Sequence, residues 1–72
     1  MTELRLQQDL YGASPVDEAV KTFERFGSLQ LLQADGQWIV QIACKTPARE
    51  RQIRNELANF ALGLTIKELK TP

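Results

Sequence analysis

The chain has 72 residues, with nine cationic side chains, nine anionic ones, one cysteine and no histidine. The balanced charge gives no overall field toward nucleic acid or membranes, and a lone cysteine excludes an internal disulfide. The lack of histidine removes the commonest general base and the commonest metal ligand. There is no apolar run of bilayer-spanning length, and the first residues do not resemble a signal peptide. We therefore expect a single domain over residues 1–72, located in the cytoplasm.

The first predicted element is a half-buried strand over Thr2–Leu10. Along this stretch Leu4, Leu6 and Leu10 lie on one side, while charged and amide side chains occupy most of the other side. A period of two residues is typical of a strand that has one face on the core. The leucines should therefore contact the rest of the domain.

The first helix is predicted to open at Ser14-Pro15. Serine is a good N-cap, and proline fits the first helical position because its missing N–H would be unpaired there anyway. Asp17 and Glu18 suit the positive end of the helix dipole, and Gly27 is expected to end the helix. The apolar stripe consists of Val16, Ala19, Val20 and Phe23, with Phe26 as its last candidate member.

The stretch Ser28–Cys44 predicts a β-hairpin, because two apolar runs flank the turn dipeptide Asp35-Gly36. A two-residue loop pairs Gln33 with Trp38, Leu31 with Val40, and Leu29 with Ile42. Cross-strand partners share a face of the sheet, so the core face should hold Leu29, Leu31, Trp38, Val40, Ile42 and Cys44. The outer face should hold Gln30, Ala34, Gln37 and Gln41, together with the apolar pair Leu32 and Ile39.

Thr46-Pro47 repeats the capping arrangement and predicts a second helix from Pro47 toward Leu62. Gly63 is expected to end or weaken this helix. The residues from Thr65 to Leu69 would form either one more turn or a continuation of it. Its apolar stripe consists of Ile53, Leu57, Phe60, Ala61 and Leu64.

These elements predict an α+β domain, a two-layer βαββα sandwich with an antiparallel three-stranded sheet in the order 2-3-1. The arrangement is ferredoxin-like but lacks the last strand, which leaves the first strand as an open edge. The predicted core consists of Leu4, Leu6, Val20, Phe23, Leu31, Trp38, Val40, Ile42, Ile53, Leu57 and Phe60.

The one local excess of positive charge comprises Lys45, Arg49, Arg51 and Arg54. Such a run could bind phosphates or an acidic partner. Short runs of mixed charge are more often a solvated helix face, and here Glu50 and Glu56 reduce the net positive charge. A sheet of this topology that reads RNA needs exposed aromatic rings on its outer face. That face carries Leu32 and Ile39 instead. The sequence therefore disfavours a nucleic-acid role.

Two further polar residues have alternative interpretations. Cys44 would be a reactive thiol if the start of the second helix lowered its pKa, but free cysteine at a strand end is more often a buried apolar residue. Asn59 lies inside the second helix, where it either points to solvent or bonds a neighbouring backbone or a partner chain. Once ordinary structural roles are assigned, no carboxylate pair, metal cluster, phosphate loop or nucleophile–base pair remains.

Several segments resemble the small D protein (HxsD-like) of the His-Xaa-Ser repeat system. They are DLY at 9–11, SPVDEAV at 14–20, DGQWIV at 35–40 and LANFAL at 57–62, with Phe23, Phe26 and Ile66-Lys67. The resemblance covers nearly the whole chain and implies a companion of radical S-adenosylmethionine enzymes that modify a repeat peptide. It implies no catalytic residue, and Asn59 is the one polar match.

We therefore predict a non-catalytic accessory or adaptor protein without a cofactor or metal, with a small nucleic-acid-binding module as the alternative. A radical S-adenosylmethionine enzyme or its peptide substrate is the expected partner. The candidate partner-binding residues are Lys45, Arg49, Arg51, Arg54, Asn59, Leu32 and Ile39. A homodimer is also expected, because small domains with open strand edges tend to associate. Its candidate interface residues are Leu4, Leu6, Leu62, Leu64, Ile66 and Leu69.

Overall fold

The structure is a computed structural model that describes the backbone of residues 1–70 and the side chains of residues 1–67. The elements follow the order strand, helix, strand, strand, helix. They are β1 Thr2–Gln7, α1 Ala13–Phe23, a 3₁₀ turn Glu24–Phe26, β2 Ser28–Ala34, β3 Gln37–Ala43 and α2 Pro47–Lys70. In the part of the chain that is described, no helix combines the length and hydrophobicity that crossing a membrane requires.

The hairpin of β2 and β3 has the predicted turn and register. Asp35 and Gly36 have positive φ angles of 53° and 72°, as a type I′ turn requires. The sheet pairs are Leu29 with Ile42, Leu31 with Val40, and Gln33 with Trp38. The register is therefore confirmed, and the two faces of the hairpin carry the residues expected on them.

The three strands form one antiparallel sheet in the order β1-β3-β2, which confirms the predicted order. In the pairing of β1 with β3, Leu4 lies opposite Val40 and Leu6 opposite Trp38. The central strand is β3, so both β1 and β2 are edge strands of this sheet. The strand nearest the start of the chain therefore has one unpaired edge among the described residues.

The core lies between the two helices and one face of the sheet. Leu4, Leu31 and Trp38 are half-buried and pack against it, but Phe60 remains 37% exposed. Its assignment to the core was wrong because Phe60 lies at the margin of the α2 stripe, where it contacts Phe23 edge-on. The buried cluster consists of Leu6, Val16, Ala19, Val20, Phe23, Val40, Ile42, Ile53, Leu57 and Ala61.

Two boundaries near the start of the chain differ from the prediction. β1 ends at Gln7 because the N–H groups of Leu10 and Tyr11 both donate to the Gln7 carbonyl, which forms a turn. Leu10 is therefore exposed rather than core-facing. The N-cap of α1 is Gly12, not Ser14, and its carbonyl accepts from the N–H of Val16.

The remaining differences in α1 follow from its earlier start. Pro15 lies third in the helix, where it is tolerated because the first N–H groups have no intrahelical partner. Asp17 lies beyond the first turn and pairs with Lys21 at 3.0 Å instead of facing the helix end. The helix stops at Phe23, so Phe26 belongs to the separate 3₁₀ turn and is exposed.

Helix α2 begins as predicted but is longer. The hydroxyl of Thr46 accepts the N–H of Arg49 at 3.1 Å, which makes Thr46 a side-chain cap. Gly63 does not end the helix, which runs to Lys70. One face stays buried past the glycine, because the side chains at a spacing of four residues, Ile53, Leu57, Ala61 and Thr65, all lie against the domain.

Candidate functional site

The junction between β3 and α2 is built around a buried carboxylate. Glu50 is only 6% exposed. Its Oε2 atom accepts the backbone N–H of Cys44 at 2.9 Å, and its Oε1 atom accepts the Thr2 hydroxyl at 3.0 Å. The amino group of Met1 lies 3.3 Å from the same Oε1 atom. One side chain therefore connects the end of β3, the beginning of β1 and the first turn of α2.

This environment lowers the pKa of Glu50 below its ordinary value of 4.5. The largest cause is the backbone hydrogen bond from Cys44, followed by the bond from the Thr2 hydroxyl, since both favour the ionised form. Burial opposes the shift, and the amino group of Met1 adds to it. The sequence interpretation treated Glu50 as a solvated charge that tempers its basic neighbours, and this was wrong because all of these donors bind it inside the fold.

Cys44 is half-buried rather than fully buried, which corrects the sequence expectation. Its thiol donates to the carbonyl oxygen of Phe26 at a distance of 3.3 Å. The same sulfur lies against Gly27, where an added Cβ atom would come within 2.5 Å of it. Cys44 therefore fixes the close approach of the 3₁₀ turn to the end of β3.

The most unusual side-chain arrangement surrounds Phe26. The ring is 43% exposed. The guanidinium carbons of Arg25 and Arg49 each lie 5.7 Å from its centroid, which is the range of a cation–π contact. Arg49 also donates to the Gln52 side-chain oxygen at 3.1 Å. Two cations from different elements therefore contact one exposed aromatic ring.

A buried ring connects this cluster with a second exposed one. Phe23 contacts Phe26 at a centroid distance of 5.8 Å and Phe60 at 5.7 Å. The two exposed rings consequently flank the same core residue, where α1 and the 3₁₀ turn meet α2. We call the surface formed by Arg25, Phe26, Arg49 and Phe60 the Phe26 surface. It offers apolar area and positive charge in one place.

The structure separates the predicted basic residues. Arg49 lies at the Phe26 surface, whereas Arg51 lies about 200° away around the helix, since each residue turns about 100°. Arg54 donates to the Asn55 side-chain oxygen at 3.3 Å, and Lys45 is exposed ahead of the helix. These four residues therefore do not form one strip, and their role in binding stays a prediction.

The other candidate partner-binding residues lie elsewhere. On the open face of the sheet, Leu32 is exposed, but Ile39 is buried between Leu32 and Arg5, its partners on the two neighbouring strands. Arg5 also donates to Glu3 at 3.1 Å. Asn59 is exposed on α2. No aromatic ring from β1, β2 or β3 is presented on this open face.

The candidate dimer residues divide into two groups. Leu6 is buried and Leu4 half-buried within the core of one chain, so they would support a dimer only through the strand that carries them. On α2, Leu62 and Ile66 are 44% and 43% exposed, whereas Leu64 is half-buried. The side chain of Leu69 lies outside the described residues.

Among the described side chains, no group of three or more His, Cys, Asp and Glu residues is placed to hold a metal ion. The chemistry that the arrangement offers is recognition through guanidinium groups, exposed rings and apolar side chains. Sequence reasoning did not predict that Arg25 and Arg49 both contact the Phe26 ring. No local sequence pattern relates these two residues, which are 24 positions apart.

Comparisons of the chain with protein-family models, with curated proteins and with solved structures found no match. A functional assignment therefore depends on the residues themselves.

Proposed function

We propose that this chain is a non-catalytic accessory or adaptor protein that acts through protein–protein contacts. The observation that carries the proposal is the number of large apolar side chains exposed on so small a domain. Phe26 and Phe60 are exposed where the two helices meet, and Leu62 and Ile66 are exposed further along α2. Phe26 and Phe60 flank the same core residue, and Leu62 and Ile66 are one turn apart on α2, so each pair offers exposed apolar area that suits docking to another protein.

The biological setting of this proposal is a peptide-modifying system of the His-Xaa-Ser repeat type. The support for it is the resemblance carried by residues 9–11, 14–20, 35–40 and 57–62. In this proposal the fold is a ferredoxin-like βαββα domain without its last strand, and the protein works in the cytoplasm. Its partner would be a radical S-adenosylmethionine enzyme or the repeat peptide that the enzyme modifies.

The proposal is tested by purifying the tagged chain from its native host and identifying its companions by mass spectrometry. We expect a radical S-adenosylmethionine enzyme or a His-Xaa-Ser repeat peptide to co-purify. Omitting the chain from the reconstituted modification reaction should then lower the yield of modified peptide. A reaction that proceeds equally well without the chain would contradict an accessory role.

A homodimer formed through β1 is part of the proposal. The open edge of β1 contains no proline, so its free N–H and C=O groups are available to a second copy. A symmetric pair would be antiparallel and would extend the sheet to six strands. The exposed Leu62 and Ile66 of α2 offer a second contact surface.

Sedimentation equilibrium at micromolar concentration tests the dimer, and a monomer mass would reject it. Amide hydrogen exchange locates the interface, because β1 amides that pair between chains should become less protected on dilution. Leu6→Pro is a poor probe, since Leu6 is buried in the core of its own chain. Ile66→Glu tests the helix surface, with Leu32→Glu as a control on the open sheet face.

The competing function is a small nucleic-acid-binding module that uses Lys45, Arg49, Arg51 and Arg54. Titration with single-stranded RNA at two salt concentrations separates the two functions. An accessory protein should bind RNA weakly, because Arg49 and Arg51 lie on opposite sides of α2 and cannot follow one phosphate backbone. Tight binding that weakens steeply with salt would overturn the proposal.

A further inference from the structure

Arg25 and Arg49 carry positive charge that no side chain of residues 1–67 neutralises by an ion pair. Of the nearby acids, Glu24 is exposed without an ion pair, Glu50 is buried against Cys44 and Thr2, and Glu56 accepts from Gln52. Both guanidinium groups therefore lie beside the Phe26 ring without an ion-pair partner among the described side chains.

The position of Arg49 is unfavourable with respect to the helix dipole. Like charges repel, and Arg49 lies in the first turn of α2, where the helix dipole disfavours a cation. The cation–π contacts with Phe26 offset this cost, but they leave both positive charges without a bound anion. An anion bound beside these guanidinium groups would neutralise their charge and, at Arg49, would interact with the dipole in the favourable direction.

We propose that the Phe26 surface binds a partner polypeptide segment in which a carboxylate side chain is adjacent to an apolar one. The carboxylate would accept hydrogen bonds from Arg25 and Arg49, whose planar guanidinium groups suit carboxylate geometry. The apolar side chain would cover the exposed parts of the Phe26 and Phe60 rings. Charge and exposed apolar area are thus matched by one short segment.

The surface fits a polypeptide better than a nucleic acid. Two guanidinium groups already contact the Phe26 ring, so a stacking base would compete with them for it. Phe60 contacts Phe23 edge-on at an interplanar angle of 75° and lies at the joint between two helices. Arg51 lies on the side of α2 away from this joint. The cations of the Phe26 surface therefore do not continue into a row that could contact successive phosphates of a nucleic acid.

This inference rests on the proposed accessory function and specifies the chemistry of one partner contact. The two can fail separately, because an accessory protein could instead dock through β1 or through Leu62 and Ile66. If the host proteins co-purify but the Phe26 surface binds no acidic segment, only the inference fails. If the surface binds the segment but no modifying system depends on the chain, only the proposed function fails.

The test uses the full chain and the blocked dipeptide acetyl-Glu-Phe-amide, followed by NMR chemical-shift titration at low salt. The neutral counterpart acetyl-Gln-Phe-amide measures the contribution of the carboxylate. Arg25→Gln and Arg49→Gln each remove one guanidinium group. Arg49→Lys keeps the positive charge but removes the planar guanidinium geometry that suits a carboxylate. Arg51→Gln is the matched control, with the same charge change on another side of the same helix.

We expect saturable shifts at Phe26 and Phe60 with the acidic dipeptide and weaker binding of the neutral one. Each glutamine substitution at Arg25 or Arg49 should weaken binding about tenfold, the effect of losing one charge-assisted hydrogen bond. The affinity of Arg49→Lys for the acidic dipeptide should lie between those of the wild type and Arg49→Gln, and Arg51→Gln should bind it like the wild type. The spectrum of each free variant confirms that it is folded.

Four results would overturn the inference. They are the absence of saturable shifts, equal affinity for the acidic and neutral dipeptides, equal effects of Arg51→Gln and Arg49→Gln, and stronger binding of inorganic phosphate or short single-stranded RNA at the same signals. The last of these would assign the surface to phosphate groups.

Discussion

The carboxylate of Glu50 accepts the backbone N–H of Cys44 at 2.9 Å, across the loop that joins β3 to α2. The other oxygen of the same carboxylate accepts the hydroxyl of Thr2. Because β1 and β3 are paired strands, this one side chain fixes the first turn of α2 against two neighbouring strands. The junction therefore holds the turn of α2 that also carries Arg49, which lies beside Phe26.

Replacing Glu50 by glutamine should lower the melting temperature. A glutamine could accept from the Cys44 N–H and donate to the Thr2 hydroxyl, but both bonds would lose the charge of the carboxylate, and the NH₂ group would face the Met1 amino group, which is also a donor. Thermal unfolding followed by circular dichroism measures the effect. Glu56→Gln is the matched control, because it makes the same charge change at an exposed position of the same helix. Equal melting temperatures for the two variants would contradict a stabilising role for Glu50.

The stabilisation from Glu50 should depend on pH. The folded-state pKa of Glu50 lies below its ordinary value of 4.5, so the unfolded chain binds the proton more readily than the folded one. Above about pH 4.5 the carboxylate is ionised in both states and its contribution is complete. The contribution is lost as pH falls from there through the lowered folded-state pKa.

Urea unfolding of wild type and Glu50→Gln from about pH 7 to about pH 3 measures this dependence. The difference in unfolding free energy between the two proteins isolates Glu50 from the other carboxylates. We expect the difference to be constant at neutral pH and to shrink below about pH 4.5. If the difference in unfolding free energy grew on acidification, the pKa of Glu50 would be raised in the folded state, which would contradict the prediction.

Gly27→Ala should destabilise the fold because of a lack of space. The φ angle of Gly27 is 175°, an extended conformation that any residue adopts. An added Cβ atom, however, would lie 2.5 Å from the Cys44 sulfur and 3.0 Å from the Ala43 carbonyl oxygen. Overpacking of this kind costs about 1–3 kcal/mol. In a Cys44→Ala background the loss measured by urea unfolding should be smaller, since only the carbonyl contact remains, and an equal loss would exclude the sulfur as the obstacle.

Alanine substitutions at Gly63 and Gly36 should change the free energy of unfolding in opposite directions. Neither added Cβ atom would meet another atom within 4 Å. Gly63 lies inside α2, where alanine is favoured by about 1 kcal/mol, so Gly63→Ala should stabilise the protein. Gly36 has a φ of +72°, which costs an alanine about 1–2 kcal/mol. Urea unfolding measures both, and a loss of stability for Gly63→Ala would indicate that α2 is interrupted there.

The hairpin could be predicted from the sequence because its determinants are local. Asp35-Gly36 accepts positive φ angles, and alternation fixes which side chains face the core once the turn is placed. The Thr46 cap was predictable for the same reason, since the hydroxyl and the N–H it accepts are three residues apart. The sheet order followed from these elements and the rule for the first crossover.

The Phe26 surface could not be predicted, because its residues meet only through tertiary packing. Arg25 and Arg49 are 24 positions apart in the sequence, and no periodicity relates them. Glu50 is similar: a glutamate after an arginine is usually a solvated charge, and only the end of β3 and the beginning of β1 supply its donors. Helical periodicity placed Phe60 in the core, but Phe60 lies at the edge of the stripe, where neighbouring packing decides exposure.

Trp38 provides the last prediction, which separates a hydrogen bond from side-chain packing. The indole N–H of Trp38 donates to the Tyr11 carbonyl oxygen at 2.8 Å, which links β3 to the segment before α1. Trp38→Phe keeps most of the apolar contact but removes this bond, so it should cost about 1 kcal/mol. Trp38→Ala also removes a half-buried ring that packs against the core and should cost about 3 kcal/mol.

Far-UV circular dichroism in urea measures both losses, because each variant lacks the only tryptophan of the chain. Leu32→Ala on the open face is the control and should change stability far less. Equal losses for the two Trp38 variants would mean that the hydrogen bond, and not the ring, supplies the stabilisation.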